Sequence, residues 1–437
     1  MQVAVVGTGI AGNAAAYALA DRHHITVYER ELKPGGHSHT LDIDYEGSRI
    51  AVDTGFIVYN ELNYPDLTAL FDHLRVETQP AEMSFAVSAN GGQLEWLGGG
   101  QRLAEILNGV FVQRGNLLSV PFWIMLRDVM RFNRQSLIDR KAGRLRGLTL
   151  GEYVQTRGYS HRLLRDYLVP MGAAIWSTPV EQMMDFPAEN FVAFFENHRL
   201  LHDERPIWRT VRGGSQRYVE ALTRPFRDRI RLGAAVTGIE RTPSGVYVTD
   251  SLGHNDRYDQ VIIAAHSDQA LAMLRDPTDD ERAVLGAIRY RANAVYLHRD
   301  TRLMPRRRRA WGAWNFLRAN GRGEANGDVA VTYWMNALQQ IDPDKPLFVS
   351  LNPPFEPDPA LTFARFSCDH PQFDAAAFAA QARLDDIQGT DRTWFCGAWT
   401  GYGFHEDGLR SGLAVAERLG GTVPWRDINP AYAEAAE

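Results

Sequence analysis

The sequence predicts an α/β protein with an α+β, two-domain organisation. Three observations support this prediction. The chain has 437 residues, more than one hydrophobic core usually serves, and 45% of them are apolar. It opens with the strand–helix–strand pattern VAVVG, AGNAAAYALADR and ITVYE, the unit that feeds a parallel sheet. A mostly helical stretch, residues 62–204, then separates this start from later strands. We therefore expect a parallel-sheet domain and a second domain of mixed helices and sheet.

The later strands follow from alternation and turn residues. The segments AVTGIER and VYVTDS, separated by Pro243-Ser244-Gly245 and followed by QVIIAA, predict an antiparallel meander that returns to a buried strand. Residues 293–352 are rich in aromatic and β-branched residues, so we expect sheet there, within the second domain. A last strand, TWFCGAW, leads through a glycine-rich loop into the helix LRSGLAVAERLG. The predicted bounds are 1–60, 205–270 and 390–421 for the first domain, 61–204 and 271–389 for the second, and 422–437 for a tail.

Composition narrows the classes of function. The formal net charge of -6 is spread along the chain, which excludes the basic face that nucleic acid binding requires. The two cysteines, Cys368 and Cys396, are too few for a disulfide framework or a thiolate metal site. We therefore expect no metal and no nucleic acid partner. The chain starts directly with a strand, so we expect a cytoplasmic protein, whose contact with the inner face of a membrane would be peripheral.

A glycine-rich turn follows the first strand. Gly7, Gly9 and Gly12 have G-x-G-x-x-G spacing at the start of the first helix, and Glu29 ends the second strand. In such a Rossmann unit the glycines allow a tight turn, close approach of a pyrophosphate to the backbone, and helix–strand packing. The helix start attracts the anion, and the acidic residue accepts hydrogen bonds from a ribose diol. A plain βαβ turn without a ligand is the alternative.

Further motifs recur in a known order along the chain. After Glu29 come Pro34-Gly35-Gly36-His37, then Asp53-Thr54-Gly55-Phe56, then Gly213-Gly214, and finally CGAWTGYGFHEDGLRSG. This order resembles the flavin amine oxidase superfamily over most of the chain. The resemblance implies an FAD-dependent oxidoreductase with a Rossmann-type FAD-binding domain and a substrate domain. We expect noncovalent FAD, because no cysteine or histidine carries a recognisable attachment signature.

The same resemblance implies where FAD is contacted. The pair Gly35-Gly36 lies beside the pyrophosphate, and the Asp-x-Gly segment lies along the flavin. The last glycine-rich segment sets a helix start against the pyrimidine end of the flavin. The family usually has arginine at the position of His37 and an acidic residue at that of Ala398. The implied contacts are Gly7, Gly9, Ile10, Ala11, Gly12, Glu29, Arg30, Gly36, His37, Gly55, Phe56, Val236, Gly397, Ala398, Gly408 and Leu409.

Besides the differences at His37 and Ala398, a third difference from the family pattern suggests the substrate class. Amine-oxidising relatives resemble one another in a lysine that holds a water against the flavin, whereas the only lysines here are Lys33, Lys141 and Lys345, none well placed. The segments MGAAIWSTP, LHRDTRLMP and VTYWMNALQ resemble bacterial flavoproteins linked to desaturation of methyl-branched acyl chains. This implies dehydrogenation of a lipid acyl chain, with the electron acceptor undetermined. Amine or other small-molecule oxidation, and a non-catalytic sensor or electron carrier, are the alternatives.

Two groups of residues are candidates for the reaction. His405 and Glu406 lie in the loop before the last helix, where either could act as the base or could only brace the loop. A hydrophobic substrate pocket is expected to use aromatic residues, although each could equally belong to a core. The candidates are Trp176, Trp314, Tyr333, Trp334, Trp399 and Tyr402.

The run LLSVPFWIML starts at Leu117 and is flanked by Arg114, Arg127, Arg131 and Arg134. Apolar and aromatic residues with arginines at both ends suit the headgroup layer of a membrane. A buried helix with a solvated end is the slightly favoured alternative.

Overall fold

The computed structural model describes residues 1–100, 102–202, 206–318 and 330–428, and the chain divides into two compact units. Unit 1 contains Met1–Gln79, Arg209–Tyr290 and the described residues from Ala376 onward. Unit 2 contains Pro80–Trp208 and Arg291–Ala375. Each unit has its own sheet and helices.

The elements follow one another in chain order. The first segment of unit 1 contains β1 (Gln2–Val6), α1 (Ile10–Leu19), β2 (His24–Tyr28), β3 (Thr40–Tyr45), β4 (Ser48–Asp53), β5 (Tyr59–Asn60), α2 (Pro65–Leu74) and β6 (Thr78–Pro80). Unit 2 continues with β7 (Phe85–Ala89), β8 (Leu94–Gly98), α3 (Leu103–Val110), α4 (Val120–Lys141), α5 (Leu150–Thr156), α6 (His161–Leu163), α7 (Val169–Trp176), α8 (Val180–Met184) and α9 (Ala188–Asn197).

The chain then returns to unit 1. This segment contains β9 (Trp208–Val211), α10 (Gln216–Thr223), β10 (Ile230–Arg231), β11 (Val236–Thr242), β12 (Gly245–Asp250), β13 (Asn255–Tyr258), β14 (Gln260–Ile263), α11 (Ser267–Met273) and α12 (Asp279–Leu285). The remaining elements are β15 (Arg289–His298), β16 (Trp314–Arg318), β17 (Ala330–Trp334), α13 (Met335–Gln339), β18 (Phe348–Leu351), β19 (Thr362–Gln372), α14 (Ala375–Gln381), β20 (Thr393–Phe395), α15 (His405–Arg418) and α16 (Pro424–Ile428).

A five-stranded parallel sheet organises unit 1, with strand order β10-β2-β1-β14-β20. Val3, Ala4 and Val5 of its central strand are fully buried, as expected when both faces of a parallel sheet are covered. The small residues Ala14 and Ala15 of α1 are also fully buried, which lets this helix lie close to its neighbours. The predicted α/β fold with its opening strand–helix–strand unit is confirmed.

The predicted meander is present as the antiparallel sheet β11-β12-β13, which leads directly into β14. The sequence did not distinguish β13 from β14. The residues of β13, Asn-Asp-Arg-Tyr, are mostly polar and show no apolar alternation, and only Asp259 separates them from β14.

Unit 2 is built on a seven-stranded mixed sheet with the order β19-β15-β18-β17-β16-β7-β8. The expected sheet within 293–352 is present, but the description of 62–204 as mostly helical overlooked β7 and β8. The missed signal is Asn90-Gly91, both with positive φ (55° and 61°), between the two short strands. Among the described residues, no helix combines the length and apolar character needed to cross a membrane.

The unit bounds differ from the predicted domain bounds. Residues 61–79, 271–290 and 376–389 belong to unit 1, not to the second domain. For 61–79 the reason is that α2 packs against α10 and α15 of unit 1. The predicted tail also begins with a folded element, because Trp425 of α16 is buried and Arg426 forms an ion pair with Asp66 at 3.0 Å. Residues 429–437 of that tail lie outside the described residues.

Candidate functional site

The glycine-rich turn between β1 and α1 shows which glycines the fold itself requires. Gly7 has a φ of 101°, and a Cβ there would lie 2.7 Å from the Ala264 carbonyl oxygen. A Cβ at Gly12 would overlap the Gly7 carbonyl oxygen. At Gly9, by contrast, a Cβ would meet no heavy atom of the described chain within 4 Å. No side chain there caps the start of α1, so no side-chain acceptor competes with an anion for its first backbone N–H groups.

Glu29 directly follows β2, beside this turn. Its buried carboxylate accepts hydrogen bonds from the Thr8 backbone N–H at 3.0 Å and from the Thr8 hydroxyl, while its other oxygen accepts the Glu31 N–H at 2.9 Å. The Thr8 hydroxyl in turn accepts the Gly35 N–H at 3.2 Å. Glu29 therefore ties the glycine turn to the second glycine-rich segment. The neighbouring Arg30 is exposed and pairs with Glu31 at 3.2 Å.

The pair Gly35-Gly36 and the Asp-x-Gly segment lie next to the glycine-rich turn between β1 and α1. Gly36 has a φ of 55°, and a Cβ there would lie 2.9 Å from the Gly9 Cα. Gly55 lies against the His37 backbone, and the Phe56 N–H donates to the His37 carbonyl at 2.8 Å. Three segments predicted to contact one dinucleotide therefore adjoin one another.

The start of α15 reaches the same place. A Cβ at Gly408 would lie 2.9 Å from Cγ2 of Ile10 and 3.5 Å from the Ala398 backbone nitrogen, and Gly412 lies against Ala11. These contacts advance along both helices together, so α1 and α15 run parallel with their N-terminal ends on the same side. Two positive helix ends, about 400 residues apart in sequence, therefore lie side by side.

The first turn of α15 contains the two predicted catalytic residues. The helix begins at His405, four residues before the predicted start at Leu409, so the prediction that His405 and Glu406 lie in a loop is wrong. The reason is Asp407, whose carboxylate accepts the backbone N–H groups of Tyr402 at 3.1 Å and Phe404 at 2.9 Å and so caps the helix earlier. Burial raises the pKa of Asp407 to about 6.

His405 lies in a small polar cluster. Its Nε2 lies 2.8 Å from the Tyr218 hydroxyl and 3.0 Å from the Ser38 hydroxyl, and these two hydroxyls also hydrogen-bond to each other. The imidazole stacks on Phe56 with ring centroids 3.8 Å apart. Burial, with a smaller contribution from His37, lowers the pKa of His405 to about 3. The ring is therefore neutral at pH 7.

Glu406 points to a different neighbour. Its two carboxylate oxygens accept the N–H groups of Asp66 at 2.9 Å and Leu67 at 3.0 Å, the first residues after Pro65 in α2. Glu406 thus caps α2, and burial raises the pKa of its carboxyl to about 8. These contacts agree with the bracing alternative, and a catalytic role for Glu406 stays a prediction.

Ser38 and Tyr218 were not among the predicted site residues, and Asp53 explains how Tyr218 is positioned. The buried Asp53 carboxylate accepts the Ser215 N–H at 2.8 Å, the Ser215 hydroxyl at 2.8 Å and the Thr40 hydroxyl at 2.6 Å. This network fastens the start of α10, which carries Tyr218, to the end of β4. Ser38 and Tyr218 are 180 positions apart, so no local pattern pairs them.

The aromatic candidates and Val236 are distributed over both units. In unit 1, Trp399 is buried with its indole N–H donating to the Ala265 carbonyl at 3.1 Å, Tyr402 is partly exposed near Phe378, and Val236 starts β11. In unit 2, Trp176 stacks on Phe186 at 4.6 Å within a buried aromatic cluster, as the core alternative expects.

The other three candidates lie in or beside the unit 2 sheet. Trp314 and Tyr333 pack edge to face at 4.8 Å on neighbouring strands. The guanidinium of Arg308 lies 4.8 Å from the Trp334 ring centroid.

Comparisons with known proteins agree with this arrangement. The family model described as flavin containing amine oxidoreductase matches residues 10–336. Among solved structures, the CLA-producing fatty acid isomerase from P. acnes is 16% identical with a TM-score of 0.68, covering 95% of this chain and 98% of that one. Putrescine oxidase bound to putrescine is 14% identical with a TM-score of 0.69, covering 96% and 99%.

Cyclohexylamine oxidase from Brevibacterium oxydans IH-35A is 17% identical with a TM-score of 0.62, covering 96% of this chain and 99% of that one. No curated protein sequence matches the chain significantly. At these identities the structural likeness shows the amine-oxidase-like fold, while the family match spans most of the chain. The chain therefore belongs to the flavin containing amine oxidoreductase family and is an FAD-dependent oxidoreductase.

Proposed function

We propose that this oxidoreductase dehydrogenates a hydrophobic substrate, and that the substrate is a methylated acyl chain of a phospholipid. The observation that carries the proposal is the placement of the three lysines. Lys33 and Lys141 are exposed, and Lys345 lies partly exposed in a turn where its N–H donates to the Asp342 carbonyl at 3.0 Å. Amine-oxidising relatives rely on a lysine that holds a water against the flavin, and none of these three is buried to do so. The likeness to a fatty acid isomerase supports an acyl substrate.

The residues of unit 1 fit FAD. We assign the pyrophosphate to the N–H groups at the start of α1, beside the open space at Gly9, and the adenosine ribose diol to Glu29. Gly36 lies against Gly9, where a side chain would intrude on the same space. The first turn of α15, beside Gly408 and Leu409, is assigned to the pyrimidine end of the flavin. A positive helix end there favours negative charge.

Dehydrogenation of two adjacent carbons removes one hydrogen with its electron pair, which bound FAD accepts, and releases the second hydrogen as a proton. We assign His405 as the acceptor of this proton. The ring is neutral at pH 7, and no hydrogen bond to its Nδ1 occurs among the described residues, whereas both oxygens of Glu406 are engaged. The hydroxyls of Ser38 and Tyr218 at Nε2 offer the proton a route away from the ring.

Anaerobic mixing tests the substrate class. Phospholipid with methyl-branched acyl chains should bleach the flavin absorbance of the purified protein, and putrescine or cyclohexylamine should not. Bleaching by the amines alone would contradict the proposal and favour amine oxidation. An unchanged spectrum with lipid and amines alike would favour a sensor or electron carrier. Mass spectrometry of lipids from cells with and without the protein should show the matching desaturated product.

The role of His405 is tested by His405→Ala. The variant should keep the spectrum of bound FAD while flavin reduction by substrate slows by roughly a hundredfold, the usual contribution of a general base. Tyr218→Phe, which removes one hydroxyl partner but leaves the imidazole, should have a smaller effect. Unchanged reduction kinetics in His405→Ala would exclude His405 as the proton acceptor.

A further inference from the structure

Unit 2 exposes a compact apolar surface where α4 begins. Its members are large apolar side chains within eight consecutive residues, and we call them the apolar tip: Leu117, Leu118, Val120, Trp123 and Ile124. Leu118 is 90% exposed and Val120 is 69% exposed. Single exposed apolar residues are ordinary, but a concentrated group indicates an interaction surface. The slightly favoured sequence interpretation, a buried helix with a solvated end, does not describe these five exposed side chains, although Phe122 and Met125 of the same run are buried.

The apolar tip is held by ordered contacts. Phe122 and Met125 alternate with the exposed residues and are buried, which anchors the start of α4 in unit 2. The Trp123 ring packs on Phe111 at 5.0 Å between centroids, and its indole N–H donates to the Leu117 carbonyl at 2.9 Å. Because this N–H is already satisfied within the chain, the ring can enter an apolar medium without losing a hydrogen bond.

The segment that contains the apolar tip is rich in basic residues. Residues 102–146 contain nine basic and three acidic residues, in a chain whose formal net charge is -6. Two of the acidic side chains, Asp128 and Asp139, are fully buried, and they pair with Arg127 at 2.9 Å and Arg144 at 2.7 Å. The third, Glu105, accepts the backbone N–H of Arg102 at 3.3 Å. The exposed basic residues of this region are Arg102, Arg114, Arg127, Arg131, Arg134, Lys141, Arg144 and Arg146.

The basic residues also continue the exposed side of α4. Arg127, Arg131 and Arg134 follow Trp123 at intervals of three or four residues, the spacing of one helix face. On α3, Leu103 and Leu107 are exposed and one turn apart. An apolar end bordered by an arginine-rich helix face combines the two features that bind a protein to an anionic bilayer, apolar insertion and attraction to lipid phosphates.

We propose that the apolar tip and the basic face of α4 seat unit 2 on the surface of a membrane rich in anionic phospholipids. The side chains of the apolar tip enter the boundary between headgroups and acyl chains, and the arginines contact the headgroup phosphates. A second copy of the chain is the less suitable occupant, because a two-fold contact through this surface brings arginines against arginines. The inference does not depend on the proposed substrate, since binding to vesicles is measured without turnover.

Cosedimentation of the FAD-loaded protein with vesicles tests the proposal. The protein should bind phosphatidylglycerol vesicles, bind phosphatidylcholine vesicles far less, and be released as salt is raised to about 0.5 M. The double variant Leu118→Glu/Val120→Glu should reduce the partition coefficient at least roughly tenfold. Leu252→Glu, which changes a residue of unit 1 that is 61% exposed, should leave it unchanged.

The flavin spectrum and thermal unfolding of each variant establish that it is folded. Glu at position 120 suits the N-terminal end of α4, so the double variant should fold. No binding to phosphatidylglycerol, or equal binding by the double variant, would overturn the proposal. A dimer in light scattering that the double variant dissociates would overturn it too, because the surface would then join two copies. Failure of lipid to bleach the flavin would leave the vesicle result intact.

Discussion

Gly412 of α15 lies against Ala11 of α1, so closely that a side chain at Gly412 would overlap the Ala11 carbonyl oxygen. Together with Gly408 against Ile10, this contact sets the two helix starts side by side. The arrangement of the FAD site therefore depends on a helix–helix contact that only glycine permits.

Gly412→Ala should destabilise the protein. In a helix the change normally stabilises by about 0.5–1 kcal/mol, because glycine has the greater freedom in the unfolded chain. Here the overlap with Ala11 should reverse the sign and cost about 1–3 kcal/mol. Thermal unfolding and FAD content measure the effect. Gly115→Ala is the control, because a Cβ there meets no heavy atom of the described chain within 4 Å. Equal or greater stability of Gly412→Ala would contradict the close contact.

Glu29→Gln should weaken FAD binding. The carboxylate is the acceptor assigned to the ribose diol, and hydrogen bonds to a charged acceptor contribute about 1.5–3 kcal/mol, so a loss of roughly tenfold or more is expected. Titration of the apoprotein with FAD, followed by quenching of flavin fluorescence, gives the affinity. Glu31→Gln changes an exposed neighbour and should bind FAD normally. The assignment fails if Glu29→Gln and Glu31→Gln bind FAD equally.

Glu406→Ala should lower stability while sparing the chemistry. Removing the acceptor of the Asp66 and Leu67 N–H groups leaves the start of α2 uncapped, at a cost of about 1–3 kcal/mol. Glu417→Ala, on the same helix but in a partly exposed ion pair with Arg426, should change stability by less than about 1 kcal/mol. Calorimetry gives the stability, and anaerobic reduction of the folded variant gives the rate. Slow reduction with unchanged stability would instead indicate a catalytic Glu406.

His298 should make stability depend on pH. Its buried Nδ1 accepts the Asp300 N–H at 3.0 Å and its Nε2 donates to Ser350 at 2.8 Å, so the folded ring is neutral. Burial lowers its pKa to about 4. The pKa of histidine in the unfolded chain is about 6.5, so between pH 6.5 and pH 4 the unfolded chain binds a proton at His298 that the folded chain does not bind. The contribution of His298 to the free energy of unfolding is therefore fully present above pH 6.5 and is lost as the pH falls.

The matching variant isolates this dependence. Asp53 and Asp407, whose pKa values burial raises to about 6, act in the opposite direction, so the comparison must be with His298→Gln. The difference in unfolding free energy between the two proteins should shrink by up to about 1.4 kcal/mol per pH unit below pH 6.5. A difference that stays constant down to pH 4 would show that His298 is not held neutral.

Local patterns predicted the parts of the fold that depend on neighbouring residues. The alternation of FAVSA and LEWLG on either side of Asn90-Gly91 is also a local pattern, and it indicates the strands β7 and β8 that the predicted helical stretch did not include. The start of α15 was missed for a different reason, because Asp407 caps it by reaching back to Tyr402 and Phe404. Site residues whose partners lie far along the chain could not be predicted in this way.

By itself the sequence determined the opening β1–α1–β2 unit and its glycine turn, because strand and helix periodicity and the conformational freedom of glycine act over a few residues. The FAD-dependent class followed from the order of the motifs, through their resemblance to a known family. Only the tertiary structure decided what His405 and Glu406 contact. Ser38 is 367 positions from His405, and Asp66 is 340 positions from Glu406. Such pairs form because the helices that carry them pack together, and that packing depends on side-chain volumes, such as the missing one at Gly412, which no local pattern reveals.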